Sequence, residues 1–542
     1  MPATTMRQAL TLALAAAWLC LLAHPAAAQT APPAAPASAP ATAATAETTF
    51  DVFEYRIEGN SVLPVEAIER AVYPFLGPKK TVADVESARL ALETAYRDAG
   101  YGTAGVDTPQ QEIVGSVVVL QVVQAPVARL RVVGSRYYSQ GRILAAVPAL
   151  AEGEVPNFKA AGEQLALVNR SNFDRRVTPL LRPGKAPGTT EVDLMVEDKR
   201  PLHAALELNN KSSPNTTASR LVGSVSYDNL WQRDHSVGLQ AQVSPEDTSE
   251  VKVFSASYRL PLGDGLVVLS AIRSNSNTVT NVGATSVFGR GSIYGLRRIA
   301  FLEGSDTFSH SLNFGADYKS FRESVSVGVD QGFETPVHYL PFSLGYAISR
   351  TDKQGSWQGG AGVVFALRGL ASSEPQFADK RFTAQSNFSI FKADVARTQQ
   401  LPFGLTLYGK LEGQLSEQAL ISNEQFVAGG VDSVRGYLEA TAVGDKALRG
   451  TLELRSPNFA KEGWGWVGGL RAHAFAEGAG LWLNSPLPGQ KARFGLLGTG
   501  VGMRLQGKEG GSLSLDVGLP LRDVGSTKKG DVRVHASGAI EF

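Results

Sequence analysis

The chain of 542 residues holds a single cysteine, Cys20, near its start. Past that point no disulfide can form, so stability has to come from packing and backbone hydrogen bonds. Long hydrophobic runs are also scarce. The run from Leu10 to Leu22 is shorter than the ~20 residues a spanning helix needs, and no later apolar stretch approaches that length. An excess of one charge sign is missing too. Lys and Arg number 52 against 51 Asp and Glu, a balance without the basic footprint of a nucleic-acid binder. The seven histidines are scattered singly, which suggests no metal site, and the G-x-S-x-G, P-loop and H-E-x-x-H patterns are absent. The sequence therefore points to no catalytic residue, no metal and no cofactor.

What is present begins with Arg7, the apolar run after it, and Ala26-Ala27-Ala28. A basic start, a short apolar core and a small-residue cleavage site predict a secretory signal peptide over residues 1–28. Without it, basic and acidic residues stand at 51 each. Residues 29–49 are almost entirely Ala, Pro, Thr and Ser, which cannot bury enough surface to fold and read as an extended linker.

Two similar units follow. Tyr55 to Gly59 reads as a strand ending at a glycine, and Leu130 to Gly134 repeats it 75 positions later. Val82, Val85, Ala88, Leu92 and Ala95 recur at helical spacing and predict one buried helix face. Leu90 and Leu165 are again 75 apart. Alternating strands, Val117 to Val123 and Val192 to Val196, close the units. A strand, two helices and two strands at a fixed offset predict a duplicated α/β module, over residues 50–125 and 126–200.

From residue 201 to 542 the pattern changes to alternation with period two. Val532, Val534, Ala536, Gly538, Ile540 and Phe542 share one face, and Arg533, His535, Ser537, Ala539 and Glu541 the other. Leu513, Leu515, Val517 and Leu519 alternate likewise with Ser512, Ser514, Asp516 and Gly518. A soluble sandwich and a membrane barrel both produce this pattern. Segment length and tryptophan placement favour the barrel. Trp466 and Trp482 flank one long strand, whose sixteen residues would span roughly 37 Å when tilted ~45°. The expected architecture is α+β modules followed by an all-β transmembrane barrel of about sixteen antiparallel strands. A polar lumen accounts for Glu412, Arg449, Glu453 and Arg455, and makes His473 and His535 wet-face residues.

One segment asks for more: Phe426 to Tyr437, between predicted strands 11 and 12. Gly429 and Gly430 permit turns that other residues resist, and Arg435 precedes Gly436 at what reads as a sharp tip. Such an arginine either folds inward onto a carboxylate or stays solvated on a surface loop.

The phrase Gly429-Gly430 to Ser433-Val434-Arg435-Gly436-Tyr437 resembles the signature loop of two-partner secretion outer-membrane transporters, the haemolysin secretion/activation family. The likeness extends along the chain. Tyr96 to Tyr101 is similar to the first periplasmic POTRA domain of that family. Leu165 to Asn169, with the Pro-Gly pairs at 183–184 and 187–188, is similar to the second. Terminal Phe542 matches the insertion signal of such barrels. The resemblance implies that Arg435 reaches into the lumen and pairs with an acidic residue of an A-F-x-D-x-G-like strand motif. Here that strand reads Ala474-Phe475-Ala476-Glu477-Gly478-Ala479-Gly480, with Glu477 in place of Asp. The implied partners are a secreted exoprotein, outer-membrane lipid and the barrel-assembly machinery during insertion. The implied place is the outer membrane, with the N-terminal modules in the periplasm. The cargo is left open among adhesin, cytolysin and haem-related protein. A barrel-assembly insertase of the same superfamily is the alternative, and a passive porin explains only the barrel. The family's N-terminal plug helix would fall on the Pro-rich stretch, a poor helix former.

Overall fold

The computed structural model describes residues 49–276, 279–282, 285–326 and 332–542. The expected signal peptide, the linker up to Thr48 and any plug helix within it lie outside the described residues.

The first module contains β1 (Phe50–Val52), β2 (Glu54–Glu58), α1 (Val65–Val72), β3 (Gly77–Lys80), α2 (Val82–Asp98), β4 (Gly105–Asp107) and β5 (Val117–Val123). Its main sheet has the order β2-β5-β4, with β2 parallel to β5. The second contains β6 (Val127–Val133), α3 (Gln140–Ala145), α4 (Phe158–Ser171), β7 (Arg175–Pro183) and β8 (Thr190–Asp198). Its sheet runs β6-β8-β7, again with the first strand parallel to the last. The two units thus share one order of strands and helices, and each packs its helices on its sheet around a separate apolar core.

Local chemistry sets the helix ends. Thr81 and Asp84 form a reciprocal capping box at the start of α2, and the Thr81 backbone and hydroxyl hold the Asp84 carboxyl below its ordinary range. At the start of α4, the Asn157 side chain accepts from Ala160 N and donates to Ala99 O at the end of α2. One residue thus satisfies orphan groups on two helices and ties the modules together.

Two details of the predicted repeat change. Val82 sits in the first turn of α2 and is exposed, as is Leu90. The buried face runs through Val85, Ala88, Leu92 and Tyr96. Ala88 and Leu92 correspond to buried Ala161 and Leu165, so the offset is 73 in the helices and 75 in the first strands. Loops between the elements absorb the slip.

Gly59 and Gly134 occupy equivalent corners, with φ of +82° and +91°. A Cβ on either would collide with a carbonyl of the last strand, that of Val122 or of Val196. Gly59→Ala should therefore cost the first module about 2 kcal/mol or more. Limited proteolysis should show faster cleavage within residues 50–125 while the barrel keeps its heat-modifiable gel mobility. Unchanged cleavage kinetics would contradict this.

From Leu202 to Glu541 the strands close into an antiparallel barrel. Strands Gly332–Tyr339 and Pro341–Asp352 both pair with Phe308–Ser326 and form one stave broken at Leu340, so the staves number sixteen. The predicted parity holds. Leu513, Leu515, Val534 and Ile540 face outward and are exposed, whereas Asp516 and His535 are buried in the lumen. Strand Val467–Trp482 runs in unbroken register past Gly478 and Gly480, with its irregularity at Val467 to Gly469. Among the described residues no helix is long and apolar enough to cross a membrane.

The second module docks on the turn between the first two long hairpin strands, Arg220–Leu230 and His235–Val243. Gln232 accepts from Ser139 N at 2.8 Å and donates to Tyr137 O at 3.1 Å, and Arg175 pairs with Asp234 at 3.1 Å. Trp231, Gln232 and Asp234 all have φ near +55°, a strained conformation for side-chain-bearing residues that this docking over-determines. Barrel strands alternate in direction, so this end is the module side and loops 367–388, 416–445 and 483–492 lie at the opposite end.

Candidate functional site

The segment from Ser416 to Asp445 joins strand Thr406–Leu415 to strand Lys446–Arg455, the eleventh and twelfth staves, and folds back into the lumen. A short hairpin, Phe426–Ala428 against Ala442–Gly444, forms its stem. The tip is built from left-handed glycines: Gly429, Gly430 and Gly436 have φ of +108°, +106° and +97°. Side chains there would be strained and would also strike neighbouring atoms. A Cβ on Gly430 would overlap the Glu439 carboxylate, which accepts from Val431 N. Ser433 braces the turn by accepting from Gly429 N at 3.2 Å.

Arg435 projects from this tip with only 4% of its side chain exposed. Its Nη2 lies 2.6 Å from Glu477 Oε1, its Nε lies 3.0 Å from the same oxygen, and its backbone N donates to Glu477 Oε2 at 2.7 Å. Glu477, 3% exposed, is on the lumen face of strand Val467–Trp482. Two further carboxylates complete the enclosure. Nη2 donates to Glu453 at 2.8 Å and Nη1 to Asp516 at 3.0 Å, while the guanidinium carbon sits 3.5 Å from the Phe475 ring centroid. The planar fork of arginine suits this divided recognition: Nε and Nη2 share Glu477 Oε1, while Nη2 also reaches Glu453 and Nη1 reaches Asp516.

The surrounding charges balance. Arg455 pairs with Glu453 and Arg504 with Asp516, each at 2.8 Å, leaving Arg435 as the only cation in ion-pair range of Glu477 among the described residues. His473 lies 2.6 Å from Asp516. His535 Nε2 accepts from Gly436 N at 3.2 Å. Val434 and Tyr437 are fully buried, and the Tyr437 hydroxyl bonds the Leu497 and Arg522 carbonyls at 3.1 and 2.9 Å.

The wall is shaped to admit the loop. Gly498, Gly500 and Gly502 recur at alternate positions of strand Arg493–Gly507, and Gly518 lies on the neighbouring strand Gly511–Pro520. A Cβ on Gly498 would collide with the Arg435 carbonyl, and one on Gly518 with Gly436 N. These absent side chains form a groove in which the loop backbone lies against the barrel.

Glu453, His473 and His535, which alternation alone assigns to a generic polar lumen, thus contact the loop or its anchor, as does Asp516. The glycine run at lumen parity is the one signal in the sequence that marks this wall as a docking surface.

A second closure occupies the far mouth. Helix α5 (Glu374–Lys380) places Phe377 against Tyr339, ring centroids 5.4 Å apart, in a core that includes Phe321, Phe388, Ile390, Leu420 and Ile421. Beside it Arg381 forms a bidentate pair with Asp445, which is fully buried and also accepts from Leu420 N, Gln425 Nε2 and Asn484 N. One carboxylate therefore fastens three loops.

Comparison with known proteins gives the family of the chain. The model of the haemolysin secretion/activation proteins ShlB, FhaC and HecB matches residues 188–505, and a ShlB-type POTRA domain model matches residues 50–125. The outer membrane transporter CdiB of Dickeya dadantii is 24% identical over 388 residues, covering 66% of this chain and 64% of that protein. The CdiB of Escherichia coli is 23% identical over 484 residues, covering 87% and 79%. The solved CdiB structure from Escherichia coli shares the fold, with a TM-score of 0.70, 20% identity and 93% of each chain covered. With the family model spanning more than half of its length, the chain belongs to the haemolysin secretion/activation family, ShlB/FhaC/HecB.

Proposed function

We propose that this protein carries an unfolded exoprotein from the periplasm through its barrel to the cell surface, with the Arg435 loop as the lock on the pore. The observation that carries the reading is a loop arginine enclosed by three carboxylates inside a closed barrel with periplasmic modules on one end. The barrel lies in the outer membrane and the modules in the periplasm.

In the modules, residues 50–125 and 126–200, an extended cargo segment adds to an open sheet edge through main-chain hydrogen bonds. The edge strands are β2 and β4 in the first sheet and β6 and β7 in the second. Pro179 and Pro183 lie in β7 and remove donors from its ladder, which blunts that edge. Strands β2, β4 and β6 carry no proline, and β2 and β6, five and seven residues long against three in β4, are the receptive ones. The cargo then displaces the loop and takes its place along the polar wall, and folding of the partner outside makes movement one-way. This needs no bond-making step, nucleotide or cofactor from the chain. Lipid meets the outward face, and the barrel-assembly machinery inserts it. Two modules rather than a longer array favour export over an insertase role.

Deletion of residues 50–125 tests the division of labour. The truncated chain should still insert, with normal heat-modifiable mobility, while export of the partner is lost. Export at the full-length rate would remove cargo capture from the first module. Protease added to intact cells should cut only barrel loops, and cleavage within residues 50–200 would reverse the orientation.

A further inference from the structure

We infer that Asp174, His203 and Asp228 form a site for a divalent cation of the zinc class, which ties the second module to the entrance of the pore. The inference is independent of what passes through the pore. The three residues come from three elements. Asp174 leads into β7 of the second module, His203 is near the start of the first barrel strand, Leu202–Asn209, and Asp228 is near the end of strand Arg220–Leu230. His203 and Asp228 share the lumen-facing parity of their strands, at the periplasmic rim.

His203 Nε2 is 2.7 Å from Asp174 Oδ2 and 3.6 Å from Asp228 Oδ2, and the three ligand atoms all lie within 4.8 Å of one another. Ligand atoms about 2.0–2.1 Å from a tetrahedral zinc are roughly 3.3 Å apart, so small side-chain rotations bring these three to coordination distance. Both carboxylates are prepared for the task. Asp228 has its other oxygen, Oδ1, held by Arg259 at 3.0 Å and by the Ser236 hydroxyl, which leaves Oδ2 turned to His203. Asp174 is fixed through its backbone: its N donates to Asn172 Oδ1 at 2.9 Å, and its carbonyl accepts from Lys199 N at 2.8 Å. Such outer partners orient ligands and raise affinity.

Chemistry selects the ion. Two carboxylates, one of them shared with Arg259, offset part of a divalent charge, and one imidazole favours zinc, cobalt or nickel over magnesium and calcium, which take oxygen ligands. Three protein ligands leave a fourth position for water. The His203 side chain is 44% exposed, against 10% and 19% for Asp174 and Asp228, so an ion reaches the site from the periplasm while the carboxylates remain largely desolvated. Without the ion, His203 Nε2 is hydrogen-bonded to Asp174 alone, with Asp228 Oδ2 3.6 Å away. With it, a hydrogen bond across the joint becomes a coordination bond.

The full chain in detergent, stripped with a chelator and dialysed, provides the test. Titration calorimetry with zinc chloride should show one site per chain. Cobalt(II) should give the visible absorption bands of a four-coordinate centre. His203→Ala and Asp174→Asn should each weaken zinc binding about 10-fold or more and abolish the cobalt bands. His203→Gln, which keeps polarity and size, serves if the alanine variant misfolds, with heat-modifiable mobility reporting the barrel. No saturable zinc binding by the folded wild type, or equal affinity in the folded His203 and Asp174 variants, would overturn the assignment.

Discussion

Arg435→Ala should reduce export of the partner by more than about tenfold while leaving most of the barrel assembled, because breaking a buried charge pair costs about 3–5 kcal/mol at the point of contact. The loss concentrates on Glu477. Glu453 keeps Arg455 and Asp516 keeps Arg504 and His473, but Glu477 is left buried with no counter-charge among the described residues. Secretion assays read the first effect, and the heat-modifiable fraction of the membrane-inserted chain reads the second. The same geometry ranks the partner variants. Glu477→Ala leaves Arg435 with two carboxylates and should be milder than Arg435→Ala. Glu477→Asp should be milder still, since it keeps the charge. A double-mutant cycle between the two positions should show strong coupling. Simple additivity, or secretion by Arg435→Ala at the wild-type rate, would detach the arginine from the lock.

The second large effect is expected at the far mouth. Asp445→Ala removes the acceptor of Arg381, Leu420, Gln425 and Asn484 at once, so several buried donors lose their partner in one step, at about 1–3 kcal/mol each. Loops 367–388, 416–425 and 483–492 should then separate, and single-channel recordings in planar bilayers should show larger and more frequent openings than the wild type. Phe377→Ala attacks the apolar half of the same seal at a cost of about 3–5 kcal/mol and should act in the same direction. If both variants conduct as the wild type does, the far mouth is not the barrier and the Arg435 loop alone holds the pore shut.

Much of this architecture is legible in the amino-acid order because a barrel strand has only two faces. Alternation is enough to assign Leu513 and Val534 to lipid and Asp516 and His535 to the lumen, and sixteen staves follow from counting such segments. The same rule placed Glu477 on the inner wall. Alternation does not say which lumen residues meet. That Glu453, Glu477 and Asp516 converge on one guanidinium depends on the stagger between three strands and on a loop entering from a fourth, and barrel closure sets both. Helix faces fail differently. Val82 has the right spacing for the core of the first module but lies in the first turn of α2, before the sheet covers it. The cap of Phe377, Tyr339 and Phe388 left no periodic trace at all, since its members come from a helix and from strand ends far apart in the chain.

The paired corners at Gly59 and Gly134 have a consequence for descent. Two copies of one module within a single chain form an alignment of two, and between them Tyr55 has become Leu130, Ile57 has become Val132 and Glu58 has become Val133. Three of the five positions differ and Arg56 recurs as Arg131, and the two units differ by two residues in length between the first strand and the second helix. At the corner there was no substitute to try, since any Cβ meets the carbonyl of Val122 or Val196. Duplication thus left a record inside this protein of which backbone contacts drift could not revise, readable without any second organism.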